Sequence, residues 1–107
     1  MGLIENFEAM LARGQDSALL RHGLGNAYLN QNDHDQAIAH LAEAVRLDPG
    51  YSAAWKLYGK ALAAAGRYAD AVAALDQGII TAKTKGDIQA AKEMEVFRKR
   101  ALKVLGG

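Results

Sequence analysis

Among residues that could do chemistry in this cysteine-free chain, the three histidines have the widest repertoire. His34 and His40, with Asp33 or Asp35, are the one combination that suggests a metal site. Their six-residue gap places the two imidazoles on different faces of a helical stretch, whereas helical ligands recur at i, i+4. His22, His34 and His40 therefore read as exposed helix and turn residues. Asp33 and Asp35 read as turn carboxylates available for capping. The sequence holds no Gly-rich phosphate loop, no G-x-S-x-G elbow and no H-E-x-x-H. Nothing pairs a nucleophile with a base. The reading is of a non-enzymatic chain with no cofactor and no metal. Tyr28, Trp55, Tyr58 and Tyr68 read as large core fillers rather than ligand-stacking groups.

A chain of 107 residues is the size of a single domain with one real core. Half the residues are apolar, yet no run reaches membrane-spanning length. The opening Met1-Gly2-Leu3-Ile4-Glu5-Asn6 lacks the basic start and apolar stretch of a secretory signal. A myristoylation motif would want Ser or Thr where Asn6 stands. A cytoplasmic protein fits these features, with the periplasm as the alternative. The formal charge is +1, but residues 1–82 carry a net −3 and residues 83–107 a net +4.

Such residues need a scaffold, and the pattern is helical throughout. Pro49 is the only proline, and Ala, Leu, Lys, Arg, Gln and Glu abound. Apolar positions recur three and four apart. Breaks at Gly14-Gln15-Asp16, Asn32-Asp33, Asp48-Pro49-Gly50, Gly66-Arg67 and Lys85-Gly86-Asp87 leave six helices, over 3–13, 17–31, 35–47, 52–65, 68–84 and 87–105. Asp16 or Ser17, Asp33 and Asp87 suit N-caps, while Gly14, Gly50, Gly66 and Gly86 suit left-handed helix ends.

Laid against itself at an offset of 34, the chain repeats. Gly25 meets Gly59, Ala27 meets Ala61, Ala37 meets Ala71, and Leu41 meets Leu75. One step back, Leu3, Ile4, Phe7 and Leu11 align with Ala37, Ile38, Leu41 and Val45, so the first helix reads as the second half of a truncated unit. Gly25 and Gly59 fall where paired helices would cross most closely, and larger side chains would fill the space around them.

With Leu24-Gly25-x-x-Tyr28, Ala37-x-x-x-Leu41, Ala44 and Pro49, the unit 18–51 resembles the tetratricopeptide repeat. The unit 52–85 does so through Trp55-x-x-Tyr58-Gly59-x-x-Leu62 and Ala71-x-x-x-Leu75. Arg21 stands where the repeat has Trp, Gly78 where it has Ala and Lys83 where it has Pro. Loss of that proline predicts a longer helix over 68–84. The resemblance implies an all-α right-handed superhelix of antiparallel A and B helices. Helix 87–105 would cap it through Ile88, Ala91, Met94, Phe97, Leu102 and Leu105.

The resemblance further implies a protein or peptide partner lying in the concave groove of the A helices. The groove positions are Leu19, His22, Asn26 and Leu29, then Ala53, Lys56, Lys60 and Ala63. One subfamily grips a C-terminal carboxylate there with Lys, Asn and Arg. Asn26 matches one such asparagine, but His22 replaces a lysine and Leu57 the second asparagine, so that clamp is not present as such. Asn26, Lys56 and Lys60 would still converge as donors without opposing acids, which suits an acidic or carboxylate-bearing segment. No membrane partner is implied, and the chain is expected to be a monomer or weak homo-oligomer.

Two other readings compete. Open repeat ends could pair end to end, or Lys92, Arg98, Lys99, Arg100 and Lys103 could bind nucleic-acid phosphates. Glu93 and Glu95 interrupt that basic helix, so no nucleic acid is expected to associate at physiological salt. A labelled single strand or duplex titrated at rising salt tests this. A micromolar complex that weakens steeply with salt would reverse the ranking.

Overall fold

The computed structural model describes residues 2–106; Met1 and Gly107, the outermost positions of the expected 1–107 unit, lie outside them. Six α-helices and no strand occur among the described residues: α1 (Leu3–Ala12), α2 (Ala18–Asn30), α3 (His34–Leu47), α4 (Ser52–Ala64), α5 (Tyr68–Lys85) and α6 (Ile88–Val104). Each lies within a residue or two of its expected bounds. Helices α2, α4 and α6 touch side by side, and α1, α3 and α5 pack against them as the second layer. The result is a slab of about 43 × 29 × 18 Å.

Local chemistry sets the helix ends. The side chains of Ser17, Asp33 and Asp87 accept from the backbone N–H groups of Leu20, Gln36 and Ala90, at 3.0, 3.3 and 3.2 Å. Ser17 rather than Asp16 is thus the cap of α2. Three of the expected glycines, Gly14, Gly66 and Gly86, do close helices at φ near +80°. Gly50 does not; its N–H donates to Asp48 Oδ1 in a turn. The remaining left-handed turn between helices is at Asn32, φ 59°, one repeat before Gly66. At both places the following N–H reaches back five residues, Asp33 to the Tyr28 carbonyl and Arg67 to the Leu62 carbonyl. Asparagine tolerates this conformation better than most side chains, so it substitutes for glycine in the turn.

The core follows from the small residues. A Cβ on Gly59 would lie 2.5 Å from Leu75 Cδ2, and one on Gly25 would strike Leu41 in the same way. Both leucines are fully buried, Leu41 in the central cluster with Ala37, Ala61 and Ala71, and Leu75 in the next one with Ala82, Ala91 and Met94. Tyr28, Trp55 and Tyr58 pack against the central cluster half-buried, as expected of core fillers. The Trp55 indole N–H donates to the Pro49 carbonyl at 2.8 Å, tying α4 to the loop before it.

Helix α5 is 18 residues long and its counterpart α3 is 14, which meets the expectation raised by Lys83. The extension buries Ala82 against Ala90 and Ala91 of α6. Gly78 is also explained, because a Cβ there would collide with Met94 of α6 and sit 2.7 Å from Trp55 Cβ. The burying face of α6 differs in part from expectation. Ala91 and Met94 are buried, and so are Ala90 and Ala101, but Ile88 and Leu105 are each 52% exposed. The face follows 90, 94, 97 and 101 rather than running out to both ends.

Placing leucine at Gly59 tests this register. Any side chain gains up to about 1 kcal/mol of helix propensity over glycine. Overpacking a filled contact costs about 1–3 kcal/mol or more, so the clash wins. Gly59→Leu should lower stability to chemical denaturation by that margin, while Lys99→Ala on the exposed face should stay within about 0.5 kcal/mol of the native chain. Equal effects would mean the crossing is misplaced.

Candidate functional site

The expected groove residues do not form one uniform surface. Leu19, 71% exposed, lines a shallow apolar hollow with Phe7 and Met10 of α1, and His22 borders it. The His22 ring also sits 5.1 Å from that of Tyr51, at the start of α4. Burial and the Lys56 charge push the His22 pKa down. Asn26 and Ala53 are exposed, whereas Leu29 packs half-buried on the central cluster. Lys56 is not free of acids as expected: its ammonium lies 3.4 Å from Glu93 on α6.

Lys60 and Ala63 are brought together with residues absent from the sequence-based set. On the side of α4 facing α6, they line a cavity of about 250 Å³ with Tyr68, Phe97, Arg100 and Val104. The Lys60 ammonium is 5.4 Å and the Arg100 guanidinium carbon 5.8 Å from the Phe97 ring centroid. Among the described residues, neither cation forms an ion pair. Tyr68 thus borders a surface cavity rather than the central cluster that Tyr28, Trp55 and Tyr58 pack against. Phe97 and Arg100, expected as a capping residue and as part of the basic helix, fall outside the groove set because the repeat register stops at residue 85 and the longer α5 displaces α6 from the 34-residue frame.

The basic-helix residues are also divided. Arg98 pairs with Asp76 of α5, leaving Lys92, Lys99, Arg100 and Lys103 exposed. Lys83 bridges from α5 to Glu95 at 3.2 Å.

The histidines correct the expectation of exposure. His40 is only 7% exposed, and His22 and His34 are half-buried. The His40 ring stacks on Tyr28 with centroids 5.5 Å apart and planes 6° from parallel. Arg21 Nη1 lies 3.2 Å from its Nδ1, and Glu8 Oε1 lies 3.2 Å from its Nε2. A guanidinium can only donate, so Nδ1 accepts and the neutral ring carries its proton on Nε2, which donates to Glu8. Tyr28 also donates to Glu8, at 3.3 Å, and both Arg21 Nε and Nη2 donate to Asp16. The network joins α1, α2 and α3. No single-helix spacing reveals it, because its members come from three helices. Among the described residues no His, Cys, Asp or Glu cluster of three or more could hold a metal ion, and no helix is long and apolar enough to cross a membrane.

Burial pushes the His40 pKa down, Glu8 opposes this, and Arg21 adds to it. A histidine depressed in the folded state binds its proton more readily when unfolded. Stability is therefore retained above the ordinary histidine value of about 6.5 and lost as pH falls below it. Urea midpoints should drop between pH 7 and pH 5, and His40→Gln should flatten that drop despite lowering stability overall. An unchanged pH slope would place the titrating group elsewhere.

The geometry agrees with what comparison with known proteins finds. A tetratricopeptide repeat family model matches residues 22–87. A TPR repeat-containing protein of Pseudomonas aeruginosa is 54% identical over 98 residues, covering 92% of this chain and 93% of that protein. A solution structure from Bordetella parapertussis is 42% identical, with a TM-score of 0.82 over 96% of this chain and 90% of its own. The tetratricopeptide repeat domain of a Salinibacter ruber protein, solved by NMR, is 26% identical with a TM-score of 0.73, covering 80% of this chain and 87% of that one. The stacked helix pairs, the glycine crossings and these likenesses have one meaning: the chain belongs to the tetratricopeptide repeat family.

Proposed function

We infer that the chain is an adaptor that receives a segment of a partner protein on the face formed by α2, α4 and α6. Tetratricopeptide repeats mediate protein–protein interactions. One observation supports this face above others: the α4–α6 seam presents Lys60 and Arg100 beside an apolar cavity, with no ion pair to either among the described residues. By contrast, Arg46 and Arg67 on the other helix layer bind Glu43 and Asp70 of their own helices. Cations already paired offer a partner little, whereas unpaired ones add electrostatic complementarity.

Affinity capture from the native cell with mass spectrometry tests the face. Lys60→Glu should lose the captured partners and leave melting nearly unchanged, because Lys60 is exposed and forms no ion pair among the described residues. Arg46→Glu with Arg67→Glu should retain them. The opposite result would move the binding surface to the α3–α5 side.

A further inference from the structure

The cavity between α4 and α6 has a chemistry more specific than a general groove, and the following rests on the groove reading above. About 250 Å³ is room for one large side chain. Its walls are Ala63, Val104 and the Tyr68 and Phe97 rings, and its rim carries the two cations. Apolar lining rewards burial of an aromatic or leucine-sized group. Held within 6 Å of one ring centroid, at 5.4 and 5.8 Å, Lys60 and Arg100 are partly ordered before any ligand arrives. Both remain without a carboxylate among the described residues, although Glu93 and Glu95 lie on the same helix and are committed to Lys56 and Lys83.

We propose that this cavity anchors one bulky apolar side chain of a partner peptide while Lys60 and Arg100 hold acidic residues flanking it. The site differs from the carboxylate clamp of the family's chaperone-tail binders, whose counterparts here are His22, Asn26 and Leu57 on α2 and α4. Recognition is of an internal acidic–aromatic–acidic segment, not of a chain terminus. The cavity supplies the affinity of burial, and the cations select against neutral or basic neighbours. A nucleotide shares part of this chemistry, a flat apolar ring beside an anion. The peptide is favoured because a nucleic-acid strand draws its affinity from a run of cations along its phosphates, and Arg98 of the same helix is engaged by Asp76.

The probe is the peptide acetyl-Gly-Ser-Asp-Phe-Asp-Ser-Gly-amide, titrated into the ¹⁵N-labelled full chain and followed by NMR and calorimetry. Binding should perturb Ala63, Phe97, Arg100 and Val104. Affinity should fall at least about 10-fold when Phe becomes Ala or both Asp become Asn in the probe. Arg100→Glu, on an exposed side chain that folding does not need, should weaken binding by a similar factor, and Ala63→Phe should fill the cavity and block it. Circular dichroism of each variant separates blocked binding from misfolding. Saturation that perturbs Asn26 and Lys56 instead, and survives Arg100→Glu, would overturn the pocket but keep the groove. No binding by about 1 mM would also overturn it, with the groove judged by its own capture experiment. Tighter binding of oligo-dT at the same residues would assign the cavity to nucleic acid and overturn the peptide assignment.

Discussion

With no side chain at Gly25 or Gly59, the isobutyl groups of Leu41 and Leu75 rest on bare helix backbone. That contact fixes how near the two helices of each pair can come. Alanines at 27, 37, 61 and 71 are sized for the same separation, since anything larger would pry the pair open before the leucines met the backbone. Because the distance recurs in both pairs, the seams between successive pairs recur too, and α2, α4 and α6 are presented as neighbours on one side. The surface available to a partner is thus a consequence of a missing methyl group deep in the interior.

The repeat was legible because it rests on residues that are small for a steric reason. Glycine and alanine at a fixed interval can be read without knowing what they touch. Helix ends were legible where the turn used a capping Ser or Asp, and less so where two residue types serve one conformation. Asn32 performs the left-handed turn that Gly66 performs, while Gly50, the more obvious candidate, sits in an ordinary turn. Features assembled from three helices were not legible. His40 looks like a helix-surface histidine until Glu8 of α1 and Arg21 of α2 are placed on either side of it. The α4–α6 cavity was half visible: Lys60 and Ala63 fall inside the repeat frame, while Phe97 and Arg100 lie beyond it, past the added turn of α5.

Charge is partitioned between the two layers. Arg46 and Arg67 find partners three residues away, so their pairing is local and indifferent to how the pairs stack. Lys56 reaches Glu93, Arg98 reaches Asp76 and Lys83 reaches Glu95, each across a helix–helix seam. Those partly exposed bridges cross the seams that α6 makes with α4 and α5, where Met94 also lies against Gly78. Among the described residues Lys60 and Arg100 contribute to neither kind of pairing; both lie against the Phe97 ring instead.

Arg21 occupies the position where the second pair carries Trp55. The substitution exchanges a shape-filling group for a directional one, since a guanidinium anchored on Asp16 offers its remaining N–H in one orientation to one nitrogen of His40. An indole grafted there would fill volume yet leave the imidazole acceptor and the Glu8 carboxylate behind it without their alignment. The two units, alike in spacing, are therefore not interchangeable modules: the first is keyed to α1 by hydrogen-bond geometry, the second to its neighbours by bulk. A chain lengthened by duplicating the second unit would stack, whereas duplicating the first would carry along a lock whose key, Glu8, exists in only one copy.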